Sequence, residues 1–193
     1  MKAFMAAASA AVLACAVPAI AAAQTAPPTG LYGTLGYSNS HADDVNLGAI
    51  QGRLGYRLNG WLGVEGELAG GVKSDDISGT VGTNLVTGKL KLSHQEAIYA
   101  VGFLPVGTNF DVLGRVGYGH QKAKISDATV VGTGVSASGI STSVDGDSWN
   151  FGVGAQYHWD GMNGIRADYT REEFRGDNSG HADVWAIAFS HRF

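Results

Sequence analysis

The sequence predicts an all-β fold, an eight-stranded antiparallel up-and-down transmembrane β-barrel. Three observations predict it. Beyond the N-terminal region the apolar residues recur with period two rather than in long runs, which gives strands with two unlike faces. The joins alternate between tight turns and long polar segments, as in up-and-down membrane barrels. Charged residues fall in mid-strand, opposite the apolar and aromatic ones. A soluble eight-stranded barrel or sandwich would turn its apolar face inward and its charges to water. The aromatic residues at strand ends instead fit interfacial girdles, where amphipathic rings sit at headgroup depth.

The first element is not part of the barrel. MKAFMAAASAAVLACAVPAIAAAQ carries a basic Lys2, an apolar stretch and the small residues Ala21, Ala22 and Ala23 before Gln24. This is the pattern of a secretory signal peptide over 1–23, not of a spanning helix. Its removal takes away Lys2 and leaves 12 basic against 17 acidic residues, an acidic balance that argues against nucleic acid as a partner. Cys15, the only cysteine, lies inside that segment. The mature chain is then without disulfides, zinc thiolates or a cysteine nucleophile. Reading Val12 to Cys15 as a lipidation site instead would anchor the chain through Cys15. A short lead-in, 24–30, precedes the barrel domain, 31–193.

Eight strands follow, near 31–38, 46–58, 61–71, 90–103, 109–121, 148–159, 164–174 and 183–193. Leu58-Asn59-Gly60, Leu104 to Thr108 and Asp160 to Asn163 have the chemistry of tight turns. The other joins, 39–45, 72–89, 122–147 and 175–182, are longer and polar. In the second strand Ile50, Leu54, Tyr56 and Leu58 oppose Gln51, Arg53 and Arg57. In the third, Leu62, Val64 and Leu68 oppose Glu65 and Glu67. The fifth sets Phe110, Val112, Val116 and Tyr118 against Asp111, Arg115 and Gln121. The sixth sets Trp149, Phe151, Val153, Tyr157 and Trp159 against Asn150, Gln156 and His158. In the seventh, Ile165, Ala167 and Tyr169 oppose Arg166 and Asp168.

These faces put Arg53, Arg57, Arg115, Arg166 and Arg192 in the lumen with Glu65, Glu67, Glu96, Asp111, Asp168 and Glu172. Five positive against six negative charges suit mutual pairing, and buried charges are tolerated only when partnered. Face parity asks for a three-residue turn after Leu58 with Gly60 in the left-handed position. That register sets Arg57 opposite Trp61, Arg53 opposite Glu65 and Gln51 opposite Glu67. The outward aromatics form two bands. Tyr56, Trp61, Phe103, Phe110, Trp159 and Phe193 lie near the short turns, with Tyr37, Tyr118 and Trp149 towards the long joins.

The chain ends VWAIAFSHRF, with Trp185, Ile187, Phe189 and Phe193 on one strand face. With GRLGYRLNGWLGVEGEL (Gly52 to Leu68), GFLPVGTNFDVLGRVGYG (Gly102 to Gly119) and GIRADYTREEF (Gly164 to Phe174), it resembles the small outer-membrane β-barrel family. That family includes opacity-type surface antigens and the OmpA-like transmembrane domain. The resemblance implies residence in the cell outer membrane among lipid and lipopolysaccharide, with periplasmic chaperones on the way there. It also implies recognition of the last strand by the barrel assembly machinery, through Phe193, Phe189, Ile187 and Trp185. His191 stands where such signatures often carry an aromatic residue. OmpA-like proteins add a cell-wall-binding domain after the barrel, and the chain ends at the barrel, so that role is not carried over.

The chemistry-bearing residues point away from catalysis. Glu65 and Glu67 share a face with Arg53 and Arg57, so pairing is the stronger reading than acid/base work. Barrels of this size include lipid A deacylases that use Ser and His. Here His94, His120, His158 and His191 have no convincingly placed Ser and carboxylate. The strand glycines around Val153 and Tyr118 precede no helix, which sets phosphate loops aside. His41 with Asp43 and Asp44, and His181 with Asp183, read as solvated loop polarity. No catalytic, cofactor or metal site is expected. The expected function is a non-enzymatic surface role, with 72–89 and 122–147 as contact surfaces. A small porin is the alternative and a lipid-modifying enzyme the least favoured, since eight strands enclose a space that side chains fill.

Overall fold

The computed structural model describes residues 29–42, 45–81, 84–132, 135–176 and 180–193. The expected signal peptide and all but the end of the lead-in lie outside them, as do Asp43 and Asp44. Eight antiparallel strands close into one barrel in chain order. They are β1 (Gly30–Ala42), β2 (Val45–Arg57), β3 (Leu62–Val81), β4 (Asn84–Val106), β5 (Phe110–Gly132), β6 (Val135–His158), β7 (Asn163–Phe174) and β8 (His181–Arg192). The seam pairs β1 with β8, from Tyr32 opposite Arg192 to His41 opposite Asp183.

The strands differ in length for a visible reason. β1, β2, β7 and β8 have 12 or 13 residues, close to what a tilted strand needs to cross a bilayer. β3 to β6 have 20 to 24. The segments expected as loops, 72–89 and 122–147, are largely strand. Lys91 faces Lys124, Leu85 faces Val131, and Lys124 faces Ser143. The two hairpins thus pair with each other in a four-stranded sheet that projects past the rim by about 30 Å at ~3.3 Å per residue. Where it leaves the barrel, register shifts fall between Gly48 and Ala49, Ala69 and Ser74, and Leu92 and His94. Such bulges bend a sheet and raise its twist.

At the opposite end the joins are tight. Gly107 and Gly161 take left-handed φ values of 75° and 80°, which glycine alone adopts freely. Asp160 organises its turn by accepting the Met162 N–H at 2.9 Å and the Asn163 side-chain N–H at 2.7 Å. The Asn163 amide holds the exposed Asp160 carboxyl below the ordinary aspartate range. The β2–β3 turn departs from expectation. Gly60 is not left-handed. The Asn59 carboxamide oxygen instead accepts the N–H groups of Trp61 and Leu62, at 2.8 and 2.9 Å. Five residues, 58–62, separate the paired Arg57 and Gly63, and the register moves by two: Arg57 faces Gly63, Arg53 faces Glu67 and Gln51 faces Ala69. A shift of two keeps every side chain on its face, so the lumen assignment of β2 and β3 is unaffected.

Candidate functional site

Strand parity delivers the charges to the lumen. Arg53, Arg57, Glu65, Glu67, Asp111, Arg115, Arg166, Asp168 and Glu172 are all buried, Arg166 completely, and Arg192 is half-buried at the short-turn mouth. At mid-height Arg53 donates from Nε to Glu67 at 2.6 Å and forks onto Asp168 with bonds of 2.7 and 2.8 Å. Arg115 reaches Glu67 at 2.9 Å, gives two bonds to the Thr170 hydroxyl, and lies 4.0 Å over the Tyr99 ring. Arg166 grips Glu65 with both terminal nitrogens and reaches Asp168 at 3.3 Å. The Tyr32 hydroxyl donates to Glu65 at 2.9 Å. The expected pair of Arg53 with Glu65 is replaced by this exchange of partners, which follows from the two-residue shift in register.

A second cluster closes the short-turn mouth. Arg57 forks onto Asp111 with two bonds of 3.1 Å, and Gln156 and Arg192 each add one at 2.9 Å. Arg57 also donates to the Gly60 carbonyl at 2.7 Å and stacks 4.3 Å above Phe103. Towards the other end Gln95 donates to Glu172, and Asn150 links Ser148 to the Tyr99 hydroxyl. Tyr32, Tyr99, Val101, Phe103 and Leu113 pack as an apolar wall beside the charges. Gly117 lies against the Tyr99 ring so closely that a Cβ there would collide with it. The lumen is a filled, hydrogen-bonded interior. Planar forks onto carboxylates are what arginine does better than lysine.

Two expected positions are corrected. Glu96 is exposed on the outer face, and Phe103 is buried in the lumen rather than in the girdle. Both follow from one error of parity in β4, whose inward residues are Gln95, Ala97, Tyr99, Val101 and Phe103. With Glu96 outside, the lumen holds five arginines and five carboxylates among the described residues. Tyr32, Tyr99, Gln95 and Thr170 are lumen partners that sequence reading missed. Only the parity of neighbouring charged residues could have found them.

The outer face is apolar. Leu35, Leu68, Ile98, Val153, Trp185, Ile187, Phe189 and Phe193 are all exposed. Of the expected girdle, Tyr56, Trp61, Phe110 and Trp159 lie outward near the short turns. Tyr37, Tyr118 and Trp149 lie outward nearer the projection. Tyr118 and Trp149 meet edge to face at 5.4 Å. Exposed aliphatic and aromatic residues over a charged interior invert the order of a soluble protein and match a lipid surround.

His158 lies 3.4 Å from the Ser190 hydroxyl, and its Nδ1 has no hydrogen-bond partner among the described residues. His120 meets Asp147 at 2.8 Å on the outer face.

Solved structures share this architecture. The attachment invasion locus protein Ail of Yersinia pestis, in complex with the heparin analogue sucrose octasulfate, matches 86% of this chain and 99% of its own. The TM-score is 0.56 and the identity 22%. Neisserial surface protein A matches 88% of this chain and 100% of its own, at TM-score 0.57 and 10% identity. OprG of Pseudomonas aeruginosa matches 86% and 97%, at 0.52 and 13%. At such identities the likeness is one of fold. No curated protein matches the sequence. The match that carries identity spans nearly the whole sequence: the chain belongs to the family of the outer membrane protein beta-barrel domain, whose model covers residues 7–193, and its place is the cell outer membrane.

Proposed function

We propose that this protein is a non-enzymatic surface protein, with the barrel as anchor and the projecting sheet over 72–89 and 122–147 as contact surface. In this reading the short turns and both termini face the periplasm and the projection faces outward. Periplasmic chaperones deliver the chain, and the assembly machinery takes it through β8. The observation that carries the proposal is the filled lumen. Arg53, Arg115 and Arg166 cross-link Glu65, Glu67 and Asp168 in the middle of the barrel, leaving the function to the outside. The projecting sheet also presents two edges. β3 beyond Asp75 and β6 before Asp147 have no neighbouring strand on their outer sides among the described residues, and a free edge accepts an extended segment of a partner.

Two measurements test the proposal. The refolded protein in planar bilayers is expected to give no stable single-channel current, and large, steady currents would favour a small porin instead. Orientation is read on intact cells with a membrane-impermeant amine reagent. Every lysine after Lys2 lies between 73 and 124, so labelling is expected, and protection would place the projection in the periplasm.

A further inference from the structure

The charges of the lumen balance in its middle but not at its short-turn end. At mid-height Arg53, Arg115 and Arg166 cross-link three carboxylates. At the mouth Arg57 and Arg192 share Asp111, the only carboxylate within 4.0 Å of either guanidinium among the described residues. Glu172, the remaining lumen carboxylate, is bonded to Gln95 towards the other end. Asp160, the other acidic residue at this end, is occupied by the N–H groups of its own turn. Two guanidiniums against one carboxylate leave the mouth with a positive charge in excess, and Arg57 is only 3% exposed. A buried charge without full compensation is costly, so the mouth favours an added anion.

Unmet hydrogen bonds gather at the same end. Buried polar atoms are paired almost without exception. The buried side-chain atoms without a partner among the described residues are Thr34 Oγ1, Arg57 Nε and His158 Nδ1. All three sit in the lower lumen. Thr34 faces Ser190 across the seam, two residues from the pair of Tyr32 with Arg192, and His158 approaches Ser190 from β6. Arg57 Nε can only donate, and the other two atoms are able to. The layer therefore offers hydrogen bonds to an acceptor.

A cavity of about 340 Å³ opens at this mouth, lined by Tyr32, Arg57 and Arg192 together with Leu31, Met162 and Phe193. Its lining changes character across the seam. The first three belong to the lumen. Leu31, Met162 and Phe193 are exposed, and a Cβ at Gly33 on the outer face of β1 would lie 3.6 Å from the Phe193 ring. One cavity thus joins a cationic mouth to the lipid-facing surface, and a ligand that fills it has an anionic head and an apolar body. Carboxylate and phosphate both match the guanidinium fork. We infer that this cavity binds the head of one anionic amphiphile from the adjoining leaflet, a fatty acid or an acidic phospholipid. The head lies on Arg57 and Arg192, and the first methylenes lie against Leu31, Met162 and Phe193. Bound there, it bridges the ends of β1, β2 and β8 and stabilises the closing seam. The site requires only the barrel's place in a membrane, whichever way the mouth faces.

The test uses the refolded mature barrel in neutral detergent micelles, with native mass spectrometry counting the amphiphile molecules that stay bound. Dioleoylphosphatidylglycerol is compared with net-neutral dioleoylphosphatidylcholine, and laurate with dodecanol. The wild type is expected to retain one molecule of an anionic probe in preference to its neutral counterpart. The pair that shows the preference identifies the source as phospholipid or fatty acid. Arg192→Gln should weaken that retention about tenfold, the worth of one charge-assisted hydrogen bond. Met162→Glu places a like charge at the entrance and should weaken it without altering either arginine. Altered gel mobility of unheated samples shows that a variant is folded, and Met162→Glu decides alone if Arg192→Gln does not fold. Absence of a preference in both pairs would overturn the site, as would an unchanged preference in folded Arg192→Gln. Displacement of the probe by inorganic phosphate at equal concentration would overturn the amphiphile in favour of a free anion.

Discussion

Arg53 serves two carboxylates at once, and its neighbours show what its loss would leave behind. Glu67 would keep Arg115, and Asp168 would keep the longer bond from Arg166 and an ion pair with Arg115 at 3.8 Å. Breaking a buried pair by removing one partner costs about 3–5 kcal/mol, because a charge is left uncompensated. Arg53→Met is expected to lie in that range by urea unfolding in lipid vesicles. Adding Asp168→Leu should cost less than the sum of the single changes, with a coupling of roughly 0.5–3 kcal/mol. Strict additivity would mean that water screens the pair. At this scale the sequence was legible wherever a strand set charge against apolar residues. β4 does not. Tyr99, Val101 and Phe103 alternate with Ile98, Ala100 and Leu104, so both faces are apolar there and the nearby charge of Glu96 is the cue to parity. That cue set it wrongly, because Glu96 lies at the outer boundary beside His120 rather than in mid-membrane.

The strands show a different limit of legibility. All eight were legible within the span of the bilayer, and all but β4 by alternation, since lipid and lumen impose opposite demands on successive residues. Past the rim both faces of the sheet meet water. Residues 135–147 are mostly Ser, Thr, Gly, Val and Asp, with no alternation to betray a strand, and they read as a loop. Cross-strand pairing with β5 makes them strand all the same. The turn after Leu58 departs from expectation for a local reason, since the Asn59 side chain caps it in place of a left-handed glycine. A projection held by its own pairing, outside the closed ring, should be separable from the barrel. Removing 76–87 and 126–142 together and rejoining each hairpin with a short turn is expected to leave a barrel that migrates as folded on unheated gels. It should also lose less than about half of the wild-type refolding yield. Failure of this truncated chain to fold would show that the projection nucleates β3 to β6.

Closure of the whole molecule depends on the seam between its first and last strands. β8 pairs with β7 through a short turn, which is a local contact, but it also pairs with β1 across nearly the full length of the chain. Such a contact carries a large loop-closure cost and forms late unless something holds the last strand in place. Phe193 is placed at the end of this seam. Its N–H donates to the Leu31 carbonyl at 3.0 Å, and its ring meets the His191 ring edge-on at 4.9 Å. The side chain is 72% exposed and points outward, so it adds little to packing within the protein. A residue that stabilises the folded barrel weakly yet sits on the last strand to close is suited to recognition by a catalyst of closure. Phe193→Ala is therefore expected to lower the assembled fraction in cells several-fold while leaving refolding yield in detergent nearly unchanged. Conservative Phe193→Tyr should restore assembly. Equal losses in cells and in detergent would reduce Phe193 to a packing residue and move the recognition role to Trp185, Ile187 and Phe189, which share its outward face.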